Sequence, residues 1–175
     1  KGPIGTGALT LNGGTLQSSG SFTILNPYSV AGTVNLGGSS SFTLSGAGTL
    51  SSGSVTNTNS ATTTLSANLT GSAALTQNGS GTLSISGANN SGFSGTTTIT
   101  AGTLNIGVAT NALGTGSLAL NGGTLQLQSG LTGTLNNNFT VAGAATVNAA
   151  GVSNLSLNGT GALNSGSLSI NTGNT

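Results

Sequence analysis

No acidic residue, histidine or cysteine occurs in these 175 residues, and Lys1 is the only basic side chain, so the chain is 1% charged. Ordinary globular proteins are about 25% charged. Serine and threonine hydroxyls are plentiful, but no histidine or carboxylate is available to take the proton of a nucleophile. The paired carboxylates of most glycosidases are missing as well. We therefore expect no enzymatic activity.

The same missing residues exclude most classes of ligand. Zinc needs thiolate, imidazole or carboxylate ligands, and tight calcium sites need carboxylate oxygens, so we expect no metal and no cofactor. A net charge of +1 gives no basic footprint for nucleic acid. No run approaches ~18 consecutive apolar residues, so we expect no membrane insertion. Without cysteine there can be no disulfide bonds.

Short runs of alternating apolar and polar residues fill the chain. Examples are Leu9-x-Leu11, Leu83-x-Ile85 and Leu118-x-Leu120, and the runs are rich in Thr, Val and Ile. A period of two places one set of side chains on one face of a strand. No window of helical length shows an apolar stripe without an interrupting glycine. The pattern predicts an all-β chain.

Asn-Gly dipeptides punctuate these runs at intervals. Both residues tolerate positive φ, so the dipeptide favours tight turns. Asn-Gly also suits a two-residue hairpin, and the turns alone would allow an antiparallel meander. Internal repeats favour another arrangement. The predicted turn residues are Asn12 and Gly13, Asn78 and Gly79, Asn121 and Gly122, and Asn158 and Gly159.

A long repeat runs through the chain. Residues 5–17, GTGALTLNGGTLQ, recur as residues 114–126, GTGSLALNGGTLQ, at an offset of 109 (114 minus 5). Residues 44–50 match residues 157–163 at an offset of 113 (157 minus 44). We interpret residues 1–175 as a single domain that holds about one and a half copies of a long unit, whose length equals these offsets (109–113).

A shorter period lies beneath, because apolar positions recur along the chain at steps of either 20 or 21 residues. That spacing fits one coil of three short strands and three turns, and five coils come close to the long repeat. One coil buries too little apolar surface alone, but stacked coils share a continuous core. The sequence predicts a parallel β-solenoid, or β-helix, of about eight coils of ~20–21 residues. The predicted core ladder is Ile24, Leu44, Leu65, Ile85, Ile106, Leu127, Val147 and Leu168.

Residues 79–107 carry a more specific pattern, GSGTLSISGANNSGFSGTTTITAGTLNIG. It contains G-S-G-T-L-x-[L/I]-x-G-x-N followed by S-G-x-T-x-[V/I]-x-A-G-T-L. This resembles the passenger-associated repeat of bacterial autotransporters. The resemblance implies a right-handed β-helix, secreted to or beyond the outer membrane, that serves as a stalk, adhesin or aggregation factor. The family's signal and translocating β-barrel are missing, so the resemblance also implies a fragment of a longer repetitive chain or a processed piece of one.

The near absence of charge bears most on function. Net charge keeps proteins apart, and charges on strand edges block stacking. We therefore predict an extracellular or bacterial cell-surface structural protein whose partner is itself, associating end to end or laterally as a fibre, sheath or biofilm-matrix element. The alternatives are an autotransporter-type adhesin stalk and an ice-binding β-solenoid. Ice binding would need a flat threonine face, and the threonine runs at 62–64 and 96–100 do not suggest one at every coil.

The aromatic residues are few. Phe22, Phe42, Phe93 and Phe139 fit inward strand positions and are expected in the core. Tyr28 follows Pro27 in an expected loop. It is the one candidate for a contact residue on the surface.

Overall fold

The computed structural model describes residues 4–149, 151 and 154–172. These residues form strands and turns without a helix, and every strand pairing among them is parallel. The strands are β1 (Leu9–Leu11), β2 (Gly14–Ser18), β3 (Phe22–Ile24), β4 (Tyr28–Val30), β5 (Thr33–Gly38), β6 (Phe42–Leu44), β7 (Gly48–Leu50), β8 (Ser54–Asn57), β9 (Thr62–Leu65), β10 (Leu69–Gly71), β11 (Ala74–Gln77), β12 (Thr82–Ile85), β13 (Thr97–Ile99), β14 (Thr103–Ile106), β15 (Leu118–Leu120), β16 (Thr124–Leu127), β17 (Thr132–Leu135), β18 (Phe139–Val141), β19 (Ala144–Asn148), β20 (Asn154–Leu157), β21 (Gly161–Leu163) and β22 (Ser167–Asn171).

Each coil places its strands on three faces in turn. Face 1 is the sheet β1-β4-β7-β10, face 2 is β2-β5-β8-β11-β13-β15-β18-β21, and face 3 is β3-β6-β9-β12-β14-β16-β19-β22. In coils 5 and 6, segments 86–96 and 107–117 take the place of the first strand, and β17 and β20 occupy that place in coils 7 and 8. The prediction of a parallel β-solenoid of about eight coils is confirmed.

Six residues of the predicted core ladder stack in one inward column on face 3. They are Ile24, Leu44, Leu65, Ile85, Ile106 and Leu127. All six are buried, at 1% exposure each. Fully burying one such side chain stabilises the fold by roughly 1.5–3 kcal/mol.

Val147 and Leu168 do not continue this column, and their assignment to it was wrong. Val147 pairs with Leu125 and Ile170, in the neighbouring inward column, and Leu168 pairs with Ala145. The reason is that the last coils are longer. The numbers of paired residues differ by 22 from Leu125 to Val147 (147 minus 125) and by 23 from Val147 to Ile170 (170 minus 147). A constant step taken from the earlier coils therefore selects the wrong positions there.

The four phenylalanines pack as expected, with Phe42 and Phe93 buried and Phe22 and Phe139 partly buried against the core. The Phe22 and Phe42 rings stack across adjacent coils with centroids 6.3 Å apart.

The interpretation of Tyr28 was wrong. It lies within β4 at 4% exposure, and burial raises the pKa of its hydroxyl well above the usual range. Its ring lies over Gly48 of the next coil, where a Cβ would come 2.4 Å from the ring Cζ.

The two copies of the long repeat occupy different faces. Residues 5–17 supply β1 on face 1 and β2 on face 2, whereas residues 114–126 supply β15 on face 2 and β16 on face 3. The other matched pair, residues 44–50 and 157–163, also shifts by one face. Residues 48–50 form β7 on face 1, and residues 161–163 form β21 on face 2. The offset therefore spans five coils and one further face, where the sequence had indicated five coils.

Candidate interaction surfaces

The predicted turn residues lie at corners between faces. Each Asn-Gly dipeptide joins consecutive strands that belong to different sheets, so none of the four forms a hairpin. The asparagine side chains at these corners are exposed. At one corner the chain is fixed further, because the Gly79 N–H donates to the Asn57 carbonyl at 2.8 Å. The strands joined at these corners are β1 and β2 by Asn12 and Gly13, β11 and β12 by Asn78 and Gly79, β15 and β16 by Asn121 and Gly122, and β20 and β21 by Asn158 and Gly159.

Buried amide side chains hold the corners from inside. The Asn57 Nδ2 donates to the Gln77 Oε1 of the next coil at 2.7 Å. The Gln77 Nε2 donates in turn to the carbonyls of Gly79 and Gly81. Carbonyls at a corner lie outside the regular strand ladder, so a buried amide that reaches them reduces their desolvation cost. Sequence reasoning did not identify these amides, since nothing distinguishes them from the many exposed asparagines.

Asn90 connects three coils and is fully buried. Its Oδ1 accepts from the Leu69 N–H at 2.7 Å, and its Nδ2 donates to the Ala112 carbonyl at 2.7 Å. Its own carbonyl accepts from the Phe93 N–H at 2.8 Å, in the turn that buries the Phe93 ring. Asn90 directly follows the pattern G-S-G-T-L-x-[L/I]-x-G-x-N, which ends at Asn89. An amide suits this position because one side chain must accept and donate at once.

Asn26 and Asn137 make equivalent hydrogen bonds to the two repeat copies. The Asn26 Nδ2 donates to the carbonyls of Gly5 and Gly7. The Asn137 Nδ2 donates to the carbonyls of Gly114 and Gly116, at 3.2 and 2.7 Å. These glycines occupy matching positions in the two blocks, at the common offset of 109 (114 minus 5, 116 minus 7). The local structure is thus preserved although the face changes.

Face 3 carries a hydroxyl at the same outward position in every coil from the third to the eighth. The register of β9, β12, β14, β16, β19 and β22 aligns these side chains one above another. The hydroxyl row consists of Thr62, Thr82, Thr103, Thr124, Thr146 and Ser169. Threonine itself occupies this position in five consecutive coils, the third to the seventh, so the expectation that it does not recur at every coil holds. Unequal coil lengths conceal the row in the sequence.

A second outward row runs beside the hydroxyl row, two residues further along each strand. The side chains of this row change from hydroxyls to amides along the rod. Where the change begins, the Asn105 Nδ2 donates to the Ser84 Oγ of the preceding coil at 3.2 Å. The second row consists of Thr23, Thr43, Thr64, Ser84, Asn105, Gln126, Asn148 and Asn171. Near its first coils face 3 forms a shallow groove of about 250 Å³, which Phe22, Phe42 and neighbouring Ser and Thr residues line.

The first and last described coils present strand edges with a neighbour on one side only. Large apolar side chains lie exposed at the last coil, where Leu163 and Ile170 are 65% and 66% accessible. Leu25, at a corner near the other end, is 59% accessible. No residue of the described part is charged, and none of its segments forms a helix long and apolar enough to cross a membrane. An unpaired edge without charge is a template for another strand.

Residues 75–106 match the family model of the passenger-associated-transport-repeat. The resemblance noted in the sequence is confirmed. The match runs from β11 to β14 and includes the turn around Asn90, where face 1 gives way to segment 86–96. This repeat and the β-solenoid fold together fit a passenger-like domain of an autotransporter. No curated protein and no solved structure matches the chain.

Proposed function

We propose that this chain is a non-catalytic structural segment of an extracellular or cell-surface passenger, and that it self-associates as a fibre, sheath or biofilm-matrix element. The observation that supports this most is a stacked parallel solenoid whose described surface carries no charge. Like charges oppose close approach between copies of a protein. Without them, contact between copies meets no long-range electrostatic barrier at any salt concentration.

End-to-end contact is the mode that the coil edges favour. The edge of β21 and β22 offers backbone groups together with exposed Leu163 and Ile170. A second copy of this chain that adds its first coil there continues the hydrogen-bond ladder at about 4.8 Å per coil. The same step removes exposed apolar surface from water, which contributes about 25 cal/mol per Å².

An adhesin stalk is the second candidate, and the passenger-associated repeat favours it. A stalk would hold a binding region away from the cell without associating with copies of itself. The two candidates differ in the behaviour of the isolated chain.

Negative-stain electron microscopy of the purified chain at low and high salt tests the proposal. We expect filaments of similar length in both salts. The double variant Leu163→Lys/Ile170→Lys should shorten or abolish them, because two charges then lie on the edge. Thr76→Lys/Thr98→Lys is the matched control, since it places two charges on half-exposed side chains of coils 4 and 5, away from both end coils.

Isolated rods about 40 Å long in both salts would contradict self-association and favour the stalk, since eight coils at about 4.8 Å give that length. An equal loss of filaments in the Thr76→Lys/Thr98→Lys control would contradict the end-to-end mode.

A further inference from the structure

We propose that face 3 binds ice through the hydroxyl row and the second row. This inference does not depend on self-association, because it concerns the flank of the rod and not its ends. The linear pattern offered little support for it, since only the strand register aligns the threonines. The structure places five of them in consecutive coils at one outward position, from Thr62 to Thr146.

The strand register gives the two rows a regular spacing. Neighbouring strands lie about 4.8 Å apart, and side chains two residues apart on one strand lie about 6.6 Å apart. Thr103 and Asn105, for example, stand side by side and are repeated above and below by Thr82 with Ser84 and by Thr124 with Gln126. All members of both rows in coils 4 to 7 are half-exposed. In the proposed contact, this array orders water into a layer that continues into the ice crystal.

Threonine is suited to such a surface because its conformation is restricted. Branching at Cβ restricts χ1, so the hydroxyl and the methyl group hold fixed positions. The strand beneath is fixed as well, since the inward neighbours Leu83, Leu104 and Leu125 are at most 1% exposed. A surface that is already ordered loses little conformational entropy when it binds. The described face has no charge whose hydration shell would compete with an ice-like layer.

Other occupants fit face 3 less well. A sugar would favour exposed aromatic rings, but the Phe22 and Phe42 rings occupy inward positions and only border the groove. A second copy of the chain would bury hydroxyls with few apolar neighbours, and an unpaired buried hydroxyl costs about 1–3 kcal/mol. The groove makes face 3 concave near its first coils, so the contact is assigned to coils 4 to 7. Its central residues are Thr82, Thr103, Thr124 and Thr146.

Ice-crystal shaping and thermal hysteresis of the purified chain test this. We expect the unmodified chain to shape crystals, and Thr82→Lys/Thr103→Lys to abolish the effect. The matched control is Thr76→Lys/Thr98→Lys. Thr76 and Thr98 are outward, half-exposed and paired in the same two coils, but on face 2. Circular dichroism establishes that both variants keep the strand content of the unmodified chain.

Three outcomes would overturn the proposal. The unmodified chain could leave ice unshaped, or the face 2 variant could lose as much activity as the face 3 variant. The third is a face 3 variant that shapes ice normally but changes the sedimentation of the chain, which would assign the row to contacts between copies. Filament formation with unshaped ice would contradict only ice binding, so the two proposals fail separately.

Discussion

Two nearly identical stretches of this chain, residues 5–17 and 114–126, differ at two of thirteen positions yet occupy different faces. Leu9, Leu11 and Leu16 in the first block are half-exposed. Leu118, Leu120 and Leu125, the equivalent residues, are at most 1% exposed. The second block has a coil on either side, whereas the first block has a described neighbour on one side only. Burial in this fold is thus set by stacking and not by the local sequence.

The comparison also explains why a block can move from one face to the next. The turn before its first strand keeps the same contacts in both places, because a buried asparagine of the following coil reaches the glycine carbonyls of that turn. Asn26 and Asn137 are these asparagines. Tyr28 and Phe139 likewise place their rings against Gly48 and Gly161 of the following coil. The same contact between a ring and a glycine therefore forms on face 1 and on face 2.

Replacing an equivalent leucine with alanine in each block should give the largest difference in stability between the two blocks. Leu120→Ala should destabilise the fold by about 2–5 kcal/mol, because it leaves a cavity between two coils. Leu11→Ala, at the equivalent position, should cost less than about 1.5 kcal/mol, since its surroundings are already partly hydrated. Urea unfolding measures both. Equal costs would mean that the two blocks are packed alike.

Glycine substitution at the corner should give the next largest difference. A Cβ at Gly122 would lie 2.4 Å from the Thr100 carbonyl oxygen, whereas at Gly13 it would lie 3.5 Å from the Thr33 oxygen. Both glycines have nearly the same φ, 156° and 155°. Gly122→Ala should therefore cost about 1–3 kcal/mol more than Gly13→Ala, as expected for overpacking. The shift in unfolding midpoint measures the difference, and a larger effect at Gly13 would contradict the packing of the second block.

Alkaline unfolding should distinguish Tyr28 from its counterpart Phe139. Burial raises the pKa of Tyr28 in the folded chain, so the folded state holds the proton where the unfolded state releases it. The contribution to stability is complete below pH ~10, the unfolded value, and falls by about 1.4 kcal/mol per pH unit above it. Tyr28→Phe, which reproduces the residue of the second copy, should abolish this loss. Its persistence in the variant would contradict the buried position of Tyr28.

Salt and moderate pH should have the smallest effect. Nothing but the chain termini titrates between pH ~4 and ~9, because the sequence contains no Asp, Glu, His or Cys. The described residues include no charged side chain, so salt has no charge pair to screen among them. Scanning calorimetry should give one unfolding temperature for the chain across this range and from low to high salt. A shift of several degrees with salt would mean that charge contributes after all.

Much of the fold follows from the sequence, because alternation within a strand and recurrence from coil to coil are properties of single strands and coils. The inward column from Ile24 to Leu127 was identified in this way. The prediction of this column fails at Val147, because a lengthened coil changes the register between coils without changing the pattern within any strand. The hydroxyl row was concealed for the same reason.

Other features depend on neighbours that a linear pattern does not reveal. Pro27 suggested a loop at Tyr28, but the small Gly48 of the next coil admits the ring to the core. The burial of Asn90 likewise follows from the Leu69 and Ala112 backbone on either side. Such positions become visible only once the coils are stacked.

The rotation of the repeat by one face can be tested directly with engineered disulfides, since the chain has no cysteine of its own. Thr98 and Ala119 are paired on face 2, and paired strands lie about 4.8 Å apart, within the Cα range that a disulfide spans. We expect Thr98→Cys/Ala119→Cys to oxidise readily under non-denaturing conditions. Gly92→Cys/Ala119→Cys should stay reduced, because Gly92 belongs to segment 86–96 in the place of face 1. The opposite result would place residues 114–126 on the same face as residues 5–17 and contradict the rotated arrangement.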